Sequence, residues 1–142
     1  MPLSHEERRE HLARAELFTG LSDGELDEVA SVAGELDFAP DAVIVRQGQV
    51  ETGFYLVVTG SVKVMRGGDP IATLGPGEVF GELTVLDQKP RIASVVAAEP
   101  TTCMAIASWD LLRLVESKPS IAIGLLRVLA DRLRRLTTEH TH

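Results

Sequence analysis

The stretch Gly77-Glu78-Val79-Phe80-Gly81-Glu82-Leu83-Thr84-Val85-Leu86-Asp87-Gln88-Lys89-Pro90-Arg91 interrupts a series of short strand-like segments and is itself neither strand nor hairpin loop. Ile71 to Leu74 precedes it and Ile92 to Ala97 follows it, each carrying β-branched residues that suit extended backbone. Gly81 permits a close backbone approach, and Glu82 to Leu86 is long enough for one helical turn whose free N–H groups would point out of the β unit. Such a turn favours an anion. Arg91, returning after Pro90 at the start of the next strand, adds a permanent positive charge and a forked donor suited to two phosphate oxygens. Glu82, acceptor-only when ionised, suits a sugar hydroxyl. Together these residues describe a pocket for a molecule with one phosphate and one free ribose hydroxyl. The competing reading, a surface ion pair between Glu82 and Arg91 with Gly81 as an ordinary turn residue, accounts for far less of the stretch.

Working outward, residues 35–107 alternate short runs rich in Val, Ile and Thr with turn residues: Ala39-Pro40-Asp41, Gln47-Gly48-Gln49, Thr59-Gly60, Gly67-Gly68-Asp69-Pro70 and Gly75-Pro76-Gly77. This pattern predicts an antiparallel β-roll or jelly-roll, with Gly67-Gly68 as a two-residue hairpin turn. Helices flank it. Residues 1–34 carry one helix from about Ser4 to Leu17, with Leu12 and Ala15 or Glu16 on opposite faces, and a second opened by the Ser22/Glu25 capping box and closed at Gly34. Residues 108–138 carry two more: one capped by Ser108 and broken at Lys118-Pro119, and a longer one with a stripe of Ile121, Leu125, Val128, Leu129, Leu133 and Leu136. That stripe packs either on the β unit or on the same helix of a second chain, giving a homodimer. The expected fold class is therefore α+β: N-terminal helices, a β-roll with a short phosphate-binding helix inside it, and two C-terminal helices, all in one domain.

Composition sets the boundaries of function. The chain has 142 residues, 44% of them hydrophobic, enough for one core without staples. One cysteine, Cys103, excludes an internal disulfide framework, and His5, His11, His140 and His142 lie near the termini, so no structural metal is expected. The net charge of −7 disfavours wholesale binding to nucleic acid or anionic membranes. No apolar run approaches the roughly 20 residues that span a bilayer, and the start lacks a secretion-signal layout, so a cytoplasmic protein is expected. Nucleophile-elbow, P-loop and zinc-protease motifs are absent, which argues against an enzyme. Glu16 to Asp41 holds eight acids and no Lys or Arg, whereas Arg127 to Arg135 holds four arginines against Asp131. Such a basic run is either a solvated face or a partner contact.

At Phe80-Gly81-Glu82-Leu83-Thr84-Val85-Leu86-Asp87-Gln88-Lys89-Pro90-Arg91-Ile92-Ala93-Ser94 the sequence resembles the cyclic nucleotide-binding domain family, whose cassette typically reads F-G-E-L-A-L-x-x-x-x-P-R-x-A-T. The Glu-to-Arg spacing fits without a gap. The resemblance extends to Leu17-Phe18-Thr19-Gly20-Leu21, Arg46-Gln47-Gly48, Phe54-Tyr55-Leu56-Val57-Val58-Thr59-Gly60 and the closing helices. It implies a ligand site formed by Phe80, Gly81, Glu82, Leu83, Thr84, Pro90, Arg91, Ile92 and Ala93. Within it, Gly81, Glu82 and Leu83 would offer N–H groups to a cyclic phosphate, Arg91 would pair with its exocyclic oxygens, and Glu82 would hold the ribose 2′-OH. Ile92 stands where guanine-selective members often carry Thr, which implies cAMP rather than cGMP as ligand, with no further cofactor. Leu133, Leu136, Thr137 and Thr138 on the final helix are the implied base contacts. Family members couple this helix to an effector, such as the DNA reader of Crp/Fnr-type regulators, a channel or a kinase. Here the expected partner is a cyclic nucleotide plus an effector, separate or truncated, with no direct DNA binding by this chain. A ligand-free interaction module of the same fold is the alternative.

Overall fold

The computed structural model describes residues 2–48, 53–81 and 91–140. Its framework is two four-stranded antiparallel sheets, formed by β1 (Ala33–Phe38), β2 (Val43–Val45), β3 (Gly53–Thr59), β4 (Val62–Arg66), β5 (Asp69–Leu74), β6 (Val79–Phe80), β7 (Ser94–Ala97) and β8 (Thr101–Ala107). One sheet runs β1-β8-β3-β6 and the other β2-β7-β4-β5. Gly67 and Gly68, both at positive φ, make the two-residue turn that joins Arg66 to Asp69, the hairpin expected from two residues free of Cβ.

Alternation along β3 and β8 divides the core in two. Val57 and Cys103 point between the sheets and join Val45, Val62, Val95 and Ala97. Burial holds the Cys103 thiol protonated, its pKa raised to about 12. Phe54, Leu56, Val58, Met104 and Ile106 point the other way, beneath a layer of helices. These are α1 (His5–Arg14), a 3-10 turn (Glu16–Phe18), α2 (Asp23–Val32), α3 (Ser108–Ser117) and α4 (Pro119–His140). The order is thus helices, sheet, sheet. Among the described residues no helix is long and apolar enough to cross a membrane.

Local signals set most helix ends. Ser4/Glu7 and Ser22/Glu25 both form complete capping boxes, which also hold Glu7 and Glu25 below the usual carboxylate pKa, chiefly through the backbone N–H of each cap serine. Four details differ from the sequence expectation. The first helix stops at Arg14, and Leu12 and Ala15 are both fully buried on one side of it. β1 begins at Ala33, because Ala33 and Gly34 already pair with Ile106 and Ala105, so α2 passes straight into strand. Ser108 is the first residue of α3 rather than its cap, since the extended end of β8 at Ala107 takes the cap position. Finally, the inner face of α4 is Ile121, Leu125, Val128 and Arg132, the i, i+4, i+7, i+11 positions. Leu133 lies off this face, 65% exposed, and Leu129 at its margin is half-buried.

Gly124 lets α4 approach that closely. A Cβ there would overlap the carbonyl oxygen of Leu17, whose 3-10 turn is pressed against the helix.

Candidate functional site

Arg91 organises the centre of the site. It enters β7 from Pro90, and its side chain is folded inward to 5% exposure. Burying a guanidinium is costly unless its donors are used. Nη2 donates to the Gly53 carbonyl at 2.5 Å. Its own carbonyl accepts from the Gly48 N–H at 2.8 Å, while Ser94 Oγ accepts from the Gln47 N–H at 2.9 Å. The entry to β7 is therefore tied to the segment just before β3.

Gly81 completes this cluster. At φ +95° it lies where a Cβ would come within 2.6 Å of Arg91 Nη1 and 2.7 Å of the Gly53 oxygen. Any side chain would displace the guanidinium. Phe80, one residue earlier, is buried and stacks on Tyr55, its cross-strand partner, with ring centroids 5.0 Å apart and planes 14° from parallel. The two ends of the cassette, Phe80-Gly81 and Arg91, thus meet over the start of β3. Glu82, Leu83, Thr84 and Pro90, between them, lie outside the described residues.

The other expected positions are distributed differently. Ala93 is buried, whereas Ile92 is 59% exposed. On α4, Leu133 is exposed, and so is Thr137, whose hydroxyl donates to the Leu133 carbonyl at 2.9 Å. The side chains of Leu136 and Thr138 lie outside the described residues. Phe80, Gly81 and Arg91 are brought together, whereas Ile92 and Leu133 are exposed to solvent.

Sequence reasoning did not assign Gly53 or Tyr55, although both lie against the cassette ends. Gly53 contributes a backbone carbonyl, for which no residue type is diagnostic. The pairing of Tyr55 with Phe80 depends on the register of β3 against β6. Arg132 was also missed. It donates to the carbonyl of Val79 and lines a small cleft with Glu16, Glu78, Asp131 and Arg135. Burial lowers its pKa, while nearby Glu78 favours its charge. Across the cleft, Glu16 has a raised pKa, mainly because it shares a hydrogen bond with Asp131.

The profile of the cyclic nucleotide-binding domain matches residues 35–118, more than half of the chain. The chain belongs to the cyclic nucleotide-binding domain family. Among related proteins, a cyclic AMP receptor protein of Thermus thermophilus is 38% identical over 128 residues, covering 87% of this chain and 59% of that protein. A CRP-like cAMP-activated global transcriptional regulator of Mycobacterium tuberculosis is 30% identical over 131 residues, covering 89% of this chain and 58% of that protein. The chain thus spans about three-fifths of the length of these curated relatives. Among solved structures, the Thermus thermophilus catabolite activator protein superposes with a TM-score of 0.80, at 38% identity over 88% of this chain and 61% of that one. A cyclic nucleotide-binding domain from Methylobacillus flagellatus gives 0.83, at 28% identity over 96% of this chain and 82% of that one. The α+β roll, the family and the relation to Crp-type regulators are established together.

Proposed function

We propose that this chain is a non-enzymatic sensor that binds a cyclic nucleotide, cAMP in preference to cGMP, and relays binding through α4 to an effector. The observation that carries this reading is Arg91: its guanidinium is drawn into the roll against a glycine that leaves room for it, at the point where the cassette opens and closes. Arg91 would pair with the exocyclic phosphate oxygens, the N–H groups of Gly81, Glu82 and Leu83 would hold the same phosphate, and Glu82 would accept from the ribose 2′-OH. Ile92 has no hydroxyl to offer a guanine. The cyclic AMP receptor and cAMP-activated regulator among its relatives support the same ligand.

A ligand that engages the cassette differently from the empty site shifts the positions of the elements attached to it. α4 is one such element. Its outer face exposes Ile123, Leu126 and Leu133, a surface that suits a second copy of the chain. The effector is separate from residues 1–142 in this reading, and these residues do not themselves bind DNA.

Isothermal calorimetry with cAMP and cGMP on nucleotide-free protein tests the proposal. Micromolar or tighter cAMP binding is expected, weakened about tenfold or more by Arg91→Ala, the loss for a charged hydrogen bond to phosphate. Unchanged binding in that variant would remove Arg91 from the site. Tighter cGMP binding would refute the base preference. No binding to wild-type protein would leave a ligand-free interaction module of this fold.

A further inference from the structure

Arg132 occupies an anomalous position. The inner face of α4 runs Ile121, Leu125, Val128 and then Arg132, so a guanidinium stands where the pattern calls for a fourth apolar residue. Placing a charge there is unfavourable unless the site supplies acceptors. The site does so at the edge of a sheet. β6 is the last strand of β1-β8-β3-β6. The Glu78 carbonyl is taken by the Val57 N–H, so the next carbonyl, that of Val79, faces away from the sheet. Arg132 donates to it. Glu78, anchored by accepting from the Gly75 N–H at 2.7 Å, provides a carboxylate in the same cleft.

Val79 is two residues before Gly81, and its neighbour Phe80 is fixed on Tyr55 beside the Arg91 cluster. A displacement of the cassette entry therefore acts directly on the carbonyl that α4 holds. We propose that Arg132 is the positioning residue that couples the cassette to the C-terminal helix, through its hydrogen bond to the β6 edge. The inference rests on the cyclic-nucleotide reading for its ligand, but the latch itself belongs to the fold. Arg134, two residues on and exposed, has the same charge and helix propensity and no part in the contact.

Hydrogen exchange of the full 142-residue chain, with and without saturating cAMP, provides the test. In Arg132→Ala without ligand, amides of residues 125–138 should exchange about tenfold faster than in wild type, as expected for the loss of a charged hydrogen bond that restrains local opening. The cAMP-induced change in the same amides should fall to less than half of its wild-type size. Arg134→Ala should leave both quantities unchanged. If Arg132→Ala matches Arg134→Ala in both, the latch is overturned. If wild-type chain fails to bind cAMP, the ligand reading fails, and the ligand-free exchange rates still decide for or against the latch. Should Arg132→Ala lose its native circular dichroism, Arg132→Met, which keeps side-chain length but has no donor, replaces it, and wild-type exchange in that variant would likewise overturn the proposal.

Discussion

The two halves of α4 follow the same amphipathic rule with opposite results. From Ile121 to Val128 the inner face is aliphatic, and Gly124 allows the Leu17 turn to sit against the helix backbone. Beyond Ala130, among the described side chains, Arg132 takes the inner-face position with Glu16, Glu78, Asp131 and Arg135 around it, and Leu133 faces outward. Aliphatic packing fixes the first half to its own fold and resists any alternative arrangement. Among the described residues, polar contacts hold the second half, Arg132 to the Val79 carbonyl and Asp131 to Glu16, and these are weaker and more directional attachments. The first half is an anchor, and in the proposed relay the second is the part that responds.

The largest expected effect tests the anchor. Leu125→Ala should destabilise the chain by about 2–5 kcal/mol, the usual cost of truncating a fully buried leucine, measured by urea unfolding. A loss near that of a surface substitution would show that the anchor is not packed as described. Gly124→Ala should cost about 1–3 kcal/mol, because the added methyl must push the Leu17 backbone away. The same change at an open helical position would be stabilising. In the outer half, Leu133→Ser should alter stability by no more than about 0.5 kcal/mol. If α4 also pairs with a second copy, the same substitution should shift the mass by light scattering towards monomer, and an unchanged mass would rule out that role for Leu133.

The smallest effect is pH-dependent and lies at the boundary of the two halves. Glu16 binds its proton more tightly in the folded state, so its contribution to stability is present at acid pH and is lost as pH rises through its raised pKa. Glu7 and Glu25 act in the opposite sense: their contribution is present at neutral pH and is lost as pH falls through their lowered values. Asp131→Asn should reduce the Glu16 dependence, leaving the part due to burial, and leave the other two unchanged. Thermal midpoints whose pH profile in that variant matches wild type would contradict the Glu16–Asp131 contact.

Much of this was legible from residue order. The double glycine at 67–68, the two capping boxes and the break at Lys118-Pro119 act within a few residues, so the sequence shows them directly. The family was legible because the residue types and spacing from Phe80 to Ser94 resemble its cassette. Contacts set by long-range register were not. The stacking of Tyr55 on Phe80 and the carbonyl of Gly53 beneath Arg91 depend on how β3 meets β6 and β7. The exchange of roles between Arg132 and Leu133 followed from the 3.6-residue period: by the third turn the stripe had drifted by a full residue, and apolarity alone chose the wrong neighbour.

The lone thiol between the sheets has a separate consequence. With a pKa of about 12, Cys103 is thiolate in only about one molecule in 10⁵ at pH 7, and it is enclosed on every side. Thiol-directed oxidants and alkylating reagents would find no reactive thiolate on the native chain. A cysteine introduced on the surface of α4 would be the single reactive thiol on the native chain, and a thiol-directed dye placed there would report the helix alone.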